Sequence, residues 1–266
     1  MGKPRLYRTR AIVLRRRDFD ESDRLLTVLT PDHGKQTLLA KGARKISSRK
    51  APHVDLFKQA DLLVHEGRNF GVVSQAETVR SFAGVCSDLP RLAAAHYLAE
   101  LADSFLGEDD EARAAYDLTL EVLGWLDEGG DPQLAQRYYE LHLLDIEGYR
   151  PQLYRCLGCD EWLEPAANVF DVAAGGMFCP KCAAQARQGR SVSIGAQKVL
   201  RFLQRSTIGS CRGLVLGQPV QDEIEALLGA YIQRILDHQP RSHRFVEAVR
   251  ALPPLDPAPA PFGGVA

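Results

Sequence analysis

The sequence predicts an α+β multidomain protein: a five-stranded barrel first, then an α-helical domain with an inserted four-cysteine module. Three observations predict it. Short β-branched runs broken by turn signals fill the first 80 residues, helical stripes follow residue 88, and two C-x-x-C pairs interrupt the stripes. With 266 residues and a 45% hydrophobic fraction, the chain can build two modest domains rather than one.

The strands come in order. Ala11-Ile12-Val13-Leu14 is the first apolar run and meets Arg15-Arg16-Arg17. Leu25 to Leu29 is the second, ended by the turn Thr30-Pro31-Asp32-His33-Gly34, and Thr37 to Ala40 is the third. Leu56 to His65 and Val72 to Val79 make the fourth and fifth, joined through Glu66-Gly67-Arg68-Asn69. Five short strands suit a small closed barrel. The OB-fold has that strand count, and an SH3-like barrel would give a similar pattern.

The period then changes. Asp88 is an N-cap with Pro90 in the first turn. Leu98, Leu101, Ala102 and Phe105 share a helical face; Tyr116, Leu120 and Leu123 mark a second helix. Leu134, Tyr138 and Leu141 mark a third, ended by Gly148, and Ile224, Leu227, Leu228, Tyr231 and Ile235 mark a later one. The Pro/Ala/Gly-rich tail is expected to be disordered. The expected division is 1–80 barrel, 81–150 helices, 151–190 metal module, 191–250 further helices and 251–266 tail.

Cys156-Leu157-Gly158-Cys159 and Cys179-Pro180-Lys181-Cys182 are two knuckles with 19 residues between them, the spacing of a four-cysteine zinc site. Two residues between cysteines let one tight turn aim both sulfurs at one point. Four thiolates close a tetrahedral shell and leave no place for water, so one structural Zn2+ is expected. A redox pair would need a βαβ unit that is not apparent, and a disulfide does not suit a reducing compartment. Cys86 and Cys211 are read as ordinary buried residues.

The net charge of −1 hides an asymmetry. Residues 1–80 carry 17 Lys+Arg against 9 Asp+Glu, residues 81–150 carry 4 against 15, and residues 151–266 carry 12 against 10. The basic clusters Arg15, Arg16, Arg17, Arg24, Lys35, Lys41, Arg44, Lys45, Arg49 and Lys50 fall at strand ends and in the Lys41–Lys50 loop. Such a loop can follow a phosphate backbone and release its counterions. Aromatics are sparse here (Tyr7, Phe19, Phe57 and Phe70), and no base-reading motif occurs, so backbone-driven binding is expected.

No apolar run approaches the roughly 20 residues of a membrane span, and the N-terminus reads unlike a secretion signal, so a cytosolic protein is expected. Gly34-Lys35 fails as a phosphate loop, because Leu29 stands at the first Gly position and Gln36 at the Ser/Thr position. Nothing assembles a nucleophile, base and oxyanion donor, and no enzyme is expected. Two other classes stay open: a metal-dependent nuclease using Asp109 and Asp110, and a zinc-stabilised DNA-binding regulator.

Four pieces in order and at fixed spacing carry a resemblance. They are Ala11–Arg15 with Glu21-Ser22-Asp23; Leu29 to Lys35 followed by Lys41-Gly42-Ala43-Arg44-Lys45 and Ser47-Ser48; Gly148-Tyr149-Arg150-Pro151-Gln152-Leu153 ahead of Cys156; and Gly175-Gly176 ahead of Cys179. The chain resembles the RecO family of bacterial recombination mediators over nearly its whole length. The resemblance implies an N-terminal OB-fold, a helical domain and a zinc module. It also implies binding of single- and double-stranded DNA and annealing of complementary strands. With RecR, members help load RecA onto DNA coated by single-strand-binding protein, which implies a cytoplasmic, nucleoid-associated place. It favours Lys35, Lys41, Arg44 and Lys45 as DNA contacts.

Overall fold

The computed structural model describes residues 6–108 and 111–253. Strands β1 (Leu6–Phe19), β2 (Asp23–Thr30), β3 (Gly34–Ala40), β4 (Gln59–His65) and β5 (Gly71–Arg80) close a barrel in the order β1-β2-β3-β5-β4. All pairs are antiparallel except a short parallel pair of β3 with β5, Leu38 with Gly71 and Leu39 with Val72. This is the five-stranded OB-fold. Gly71 lets the barrel close: a Cβ there would sit 2.8 Å from Val64 Cγ1 and 2.9 Å from Leu38 Cδ2.

β1 is longer than its apolar run, because Arg15, Arg16 and Arg17 continue the strand with their side chains exposed. Its first half pairs with β4 and its second half with β2. Between Val13 and Arg15 the register with β2 shifts, the mark of a bulge. Ala11, Val13, Leu26, Val28, Leu38, Leu62 and Val64 fill the barrel interior. Ile12, Leu14, Leu29 and Phe57 lie outside it and join the core of the helices instead. The barrel therefore has two apolar faces, one for itself and one for its neighbour.

The helices are α1 (Ala83–Cys86), α2 (Leu89–Phe105), α3 (Arg113–Asp127), α4 (Pro132–Ile146), α5 (Ile194–Arg205), α6 (Ile208–Cys211), α7 (Gln218–Leu236) and α8 (Arg241–Arg250). A small sheet, β6 (Asn168–Asp171), β7 (Gly176–Phe178) and β8 (Gly189–Val192), is ordered β7-β6-β8 and lies between α4 and α5 in sequence. Asp88 caps α2 by accepting from Arg91 N at 2.9 Å, and Pro90 sits in its first turn. Asp131 and Ser193 cap α4 and α5 in the same way. Helices, small sheet and the outer face of the barrel share one continuous apolar core.

The structure departs from expectation at several points. α5, α8 and β8 are elements that the sequence reading did not single out, although α5 is clearly amphipathic and buries Ala196, Leu200 and Leu203; α8 buries only Val246 and Val249. Its N-terminus is held by Glu100 of α2, which accepts from Arg241 N at 2.8 Å and Ser242 N at 2.7 Å. Cys86 is exposed rather than buried, because α1 is one turn long and gives its single inward position to Val85; Cys211 is buried. Of the expected tail, residues 254–266 lie outside the described residues. No helix among the described residues is long and apolar enough to cross a membrane.

Between α2 and α4 a carboxylate sits deep in the helical core. Glu140 Oε1 accepts from Tyr97 Oη at 2.6 Å and from Arg137 Nη2 at 2.9 Å. Burial pushes the Glu140 carboxyl up to about 7, outweighing the opposing pull of Arg137 and of the Tyr97 hydroxyl. An unfolded glutamate titrates near 4.3, so between that value and about 7 the folded chain binds more protons than the unfolded one. Stability from this group therefore falls as pH rises through that window. Urea midpoints measured from pH 4.5 to pH 8 should show this fall in the wild type, and Glu140→Gln should remove that part of it.

Candidate metal centre and nucleic-acid interface

Each cysteine pair rides on a tight turn. The first turn tips a short hairpin, in which Cys156 N donates to Glu161 O and Leu163 N donates to Tyr154 O, both at 2.9 Å. The second follows β7, and Cys182 N donates to Cys179 O at 2.9 Å. Two bonds hold the turns together: Leu157 N to Met177 O at 2.8 Å, and Cys179 N to Cys156 Sγ at 3.2 Å. The sulfurs of Cys156, Cys159, Cys179 and Cys182 lie within 4.8 Å of one another. A tetrahedral ion with metal–sulfur bonds of about 2.3 Å holds its sulfurs about 3.8 Å apart. Cys159 Sγ and Cys179 Sγ stand at 3.9 Å, so the donor set fits such an ion.

The backbone around the sulfurs supports the charged form. Burial opposes ionisation of Cys156, but the N–H groups of Cys179, Cys159 and Gly158 outweigh it and bring the thiol down to about 6. Cys182 moves the other way, up to about 12, through burial and the three neighbouring sulfurs. Thiols this close compete for negative charge, and a cation at their centre relieves the competition. Gly158 is required by crowding: a Cβ there would stand 2.8 Å from Cys182 Cβ.

Asp171, at the end of β6, was not foreseen as an organiser of this module. Its carboxylate accepts from the amides of Ala173 and Ala174 at 2.8 and 3.0 Å and from those of Arg187 and Gln188 at 2.5 and 3.1 Å. Burial opposes its charge, and these four amides overcome that and hold its carboxyl below the usual range. An aspartate among Gly and Ala residues gives little local signal for this role.

At the barrel, the ten basic residues singled out in the sequence divide by what they touch. Lys35 is mostly buried, with its Nζ 2.5 Å from Asp103 O and 3.4 Å from Asp103 Oδ1 of α2. Arg15 reaches the same carboxylate at 3.2 Å, and Arg16 pairs with Asp55 at 2.5 Å. Arg24 lies 3.6 Å from Asp18. Arg44 donates to the carbonyls of Asp20 and Glu21 at 3.2 and 3.3 Å and pairs with Asp18 at 3.3 Å. Lys50 donates to Val73 O at 2.9 Å, and burial lowers its pKa. These six brace the barrel and its loops.

Arg17, Lys41, Lys45 and Arg49 are exposed, and their side chains make no ion pair or hydrogen bond among the described residues. Arg68, in the β4–β5 loop, has the same character and was not among the expected contacts. Arg44 N donates to Ser22 O at 2.9 Å, and Gly42 N to Asp23 Oδ1 at 2.7 Å, so the basic loop is pinned beside the β1–β2 loop. Phe19 and Phe70 bring the β1–β2 and β4–β5 loops together, edge to face at 6.4 Å. Those two loops frame the ligand face of an OB-fold. Free cations and half-buried aromatic rings thus meet around one face. Among the other aromatics, Phe57 is buried against His96 at 4.9 Å, and Tyr7 meets His33 in a tilted contact at 4.9 Å. Asp109 and Asp110 lie outside the described residues.

An OB-fold barrel with a basic ligand face, joined to helices that contain a closed tetracysteine site, defines a class of modular nucleic-acid-handling protein. Family comparison narrows it. Residues 3–82 match the model of the Recombination protein O N terminal domain, and residues 86–244 match that of the Recombination protein O C terminal domain. The chain is 42% identical over 250 residues to the DNA repair protein RecO of Roseiflexus sp. (strain RS-1), covering 94% of this chain and 88% of that one. It is 33% identical over 249 residues to the DNA repair protein RecO of Dehalococcoides mccartyi (strain ATCC BAA-2266 / KCTC 15142 / 195), covering 94% and 98%. The chain belongs to the RecO family.

Gly158→Ala should crowd the second knuckle and lower metal affinity by roughly 10–100-fold, the scale seen when a residue supporting a metal site is changed. Competition of the full chain against a colorimetric chelator measures it, and unchanged affinity would contradict the packing described for the knuckle.

Proposed function

We propose that this chain acts in DNA repair as a recombination mediator, not an enzyme. The barrel face binds DNA through its phosphates and brings complementary single strands together to anneal. Family membership supports the DNA repair role. The observation that carries the annealing step is the set of exposed cations Arg17, Lys41, Lys45, Arg49 and Arg68, which have no side-chain partner among the described residues and lie on or beside loops that the other basic residues brace.

The mechanism is electrostatic. Two single strands repel through their phosphates, and a basic surface that neutralises both raises their local concentration. Phosphate contacts leave the base edges free to pair. Lys35, Arg44 and Lys50 take a positioning role, and Arg17, Lys41, Lys45 and Arg49 take the phosphates. Arg15 and Arg16 are exposed enough to add to the field, and Arg24, largely covered beside Asp18, joins the positioning group.

Cys156, Cys159, Cys179 and Cys182 hold one Zn2+, which fixes the module's two turns and takes no part in chemistry. Loading of RecA together with RecR, on DNA coated by single-strand-binding protein, is proposed from the family, as is a cytoplasmic, nucleoid-associated place. The working division is residues 1–80 for DNA, 151–190 for the metal, and 81–150 with 191–250 as the helical frame.

Binding to a single-stranded oligonucleotide should weaken linearly in log salt, by about 0.7 log units per phosphate contact. A Lys41/Lys45/Arg49→Ala variant should show a slope smaller by about 2 and slower annealing. Equal slopes for variant and wild type would remove the basic loop from the interface.

A further inference from the structure

The basic loop contains one residue that its electrostatics do not explain. Lys45, Ile46, Ser47 and Ser48 form a tight turn, closed by Ser48 N donating to Lys45 O at 2.9 Å. Ile46 stands at the corner of that turn with a relative exposure of 107%, so its side chain packs against nothing. Turn corners favour Pro or short polar residues, and an isoleucine there gains no burial. Isolated apolar residues on a surface are common. Three features set this one apart.

The turn is held in place. Lys45 N donates to Gly42 O at 3.2 Å, Arg44 N to Ser22 O at 2.9 Å, and Ala51 N to Ser48 Oγ at 3.3 Å. The neighbours Lys41, Lys45 and Arg49 are exposed cations whose side chains have no partner among the described residues. The loop also abuts the β1–β2 loop, on which Phe19 meets Phe70.

We propose that Ile46 is an apolar wedge that enters the step between adjacent bases of DNA held by the flanking cations. The proposal rests on the DNA-binding reading above and gives that site a second kind of contact. Lys41, Lys45 and Arg49 hold phosphates on either side of the turn, which faces the branched side chain towards the bases. Entry between two bases shields the isoleucine from water and unstacks one step, as apolar wedges do in proteins that deform DNA. Every base has an apolar face, so the contact is independent of sequence. A strand opened at one step offers its pairing edges to an incoming complement.

The test uses the full chain and single-stranded oligonucleotides with one internal 2-aminopurine, whose fluorescence rises when it is unstacked. The wild type should raise the signal on binding. Ile46→Ser should lose roughly half or more of that rise with an unchanged salt slope, because it removes a wedge and no charge. Ile46→Leu should retain the rise. Since Ile46 packs against nothing, both variants should keep the wild-type thermal midpoint. An equal rise in Ile46→Ser and wild type would overturn the wedge. Salt-dependent binding by the wild type without any rise would also overturn it and leave the DNA reading intact. No salt-dependent binding by the wild type would sink both.

Discussion

The outer face of β1 and β2 against the helices is the contact on which the rest of the molecule depends. Ile12, Leu14 and Leu29 turn away from the barrel interior and are buried in the helical core. Ile12 and Leu14 alternate with the inward Ala11 and Val13, and the bulge between Val13 and Arg15 keeps the faces of β1 and β2 matched beyond them. Without such a shift, a one-residue slip would exchange interior and exterior along the whole pairing. Asp103 of α2 completes the contact by meeting Arg15 and Lys35 at its rim. Apolar burial supplies the attraction, and the ion pairs set the orientation.

That contact also sorts the charges. Much of the acidic block between residues 81 and 150 answers cations or amides of the chain itself. Asp103 faces the barrel, Asp127 and Glu128 face Arg80, Glu100 holds the start of α8, and Glu140 meets Arg137. Glu128 also reaches Arg212 at 2.7 Å. Arg15, Lys35, Arg80, Arg137 and Arg212 are thereby paired, while Arg17, Lys41, Lys45, Arg49 and Arg68 on or beside the loops of the OB face meet no acid among the described residues. A near-neutral net charge is thus compatible with a locally basic binding face, because the field that a ligand meets is set within a few ångströms and is screened beyond about 8–10 Å.

The tetracysteine module uses two kinds of restraint. Its sulfurs converge because two tight turns are tied to each other by backbone bonds, and Gly158 lets them approach. Asp171 gathers four amides at the other end of the small sheet, so the strands that carry the second knuckle are held from both ends. The module has little apolar interior of its own. It leans on the shared core through residues such as Phe170, Met177 and Val192.

Much of this was legible in the residues alone, for reasons of locality. The five strands, the Asp88 cap, the α2, α3, α4 and α7 stripes, and the four clustered cysteines all depend on spacings of a few residues, which backbone geometry converts directly into structure. The basic character of the front segment was equally plain, as was the family resemblance. Tertiary structure alone decided which charges remain free. Lys35 and Lys41 look alike in the chain, yet one is closed in by Asp103, 68 residues away, and the other is open. It alone decided that Phe19 meets Phe70, that Cys86 faces out, and that Asp171 and Glu100 act as clasps. Each of these rests on a contact between distant segments, and side-chain type and local spacing do not encode which partner the fold will bring within reach.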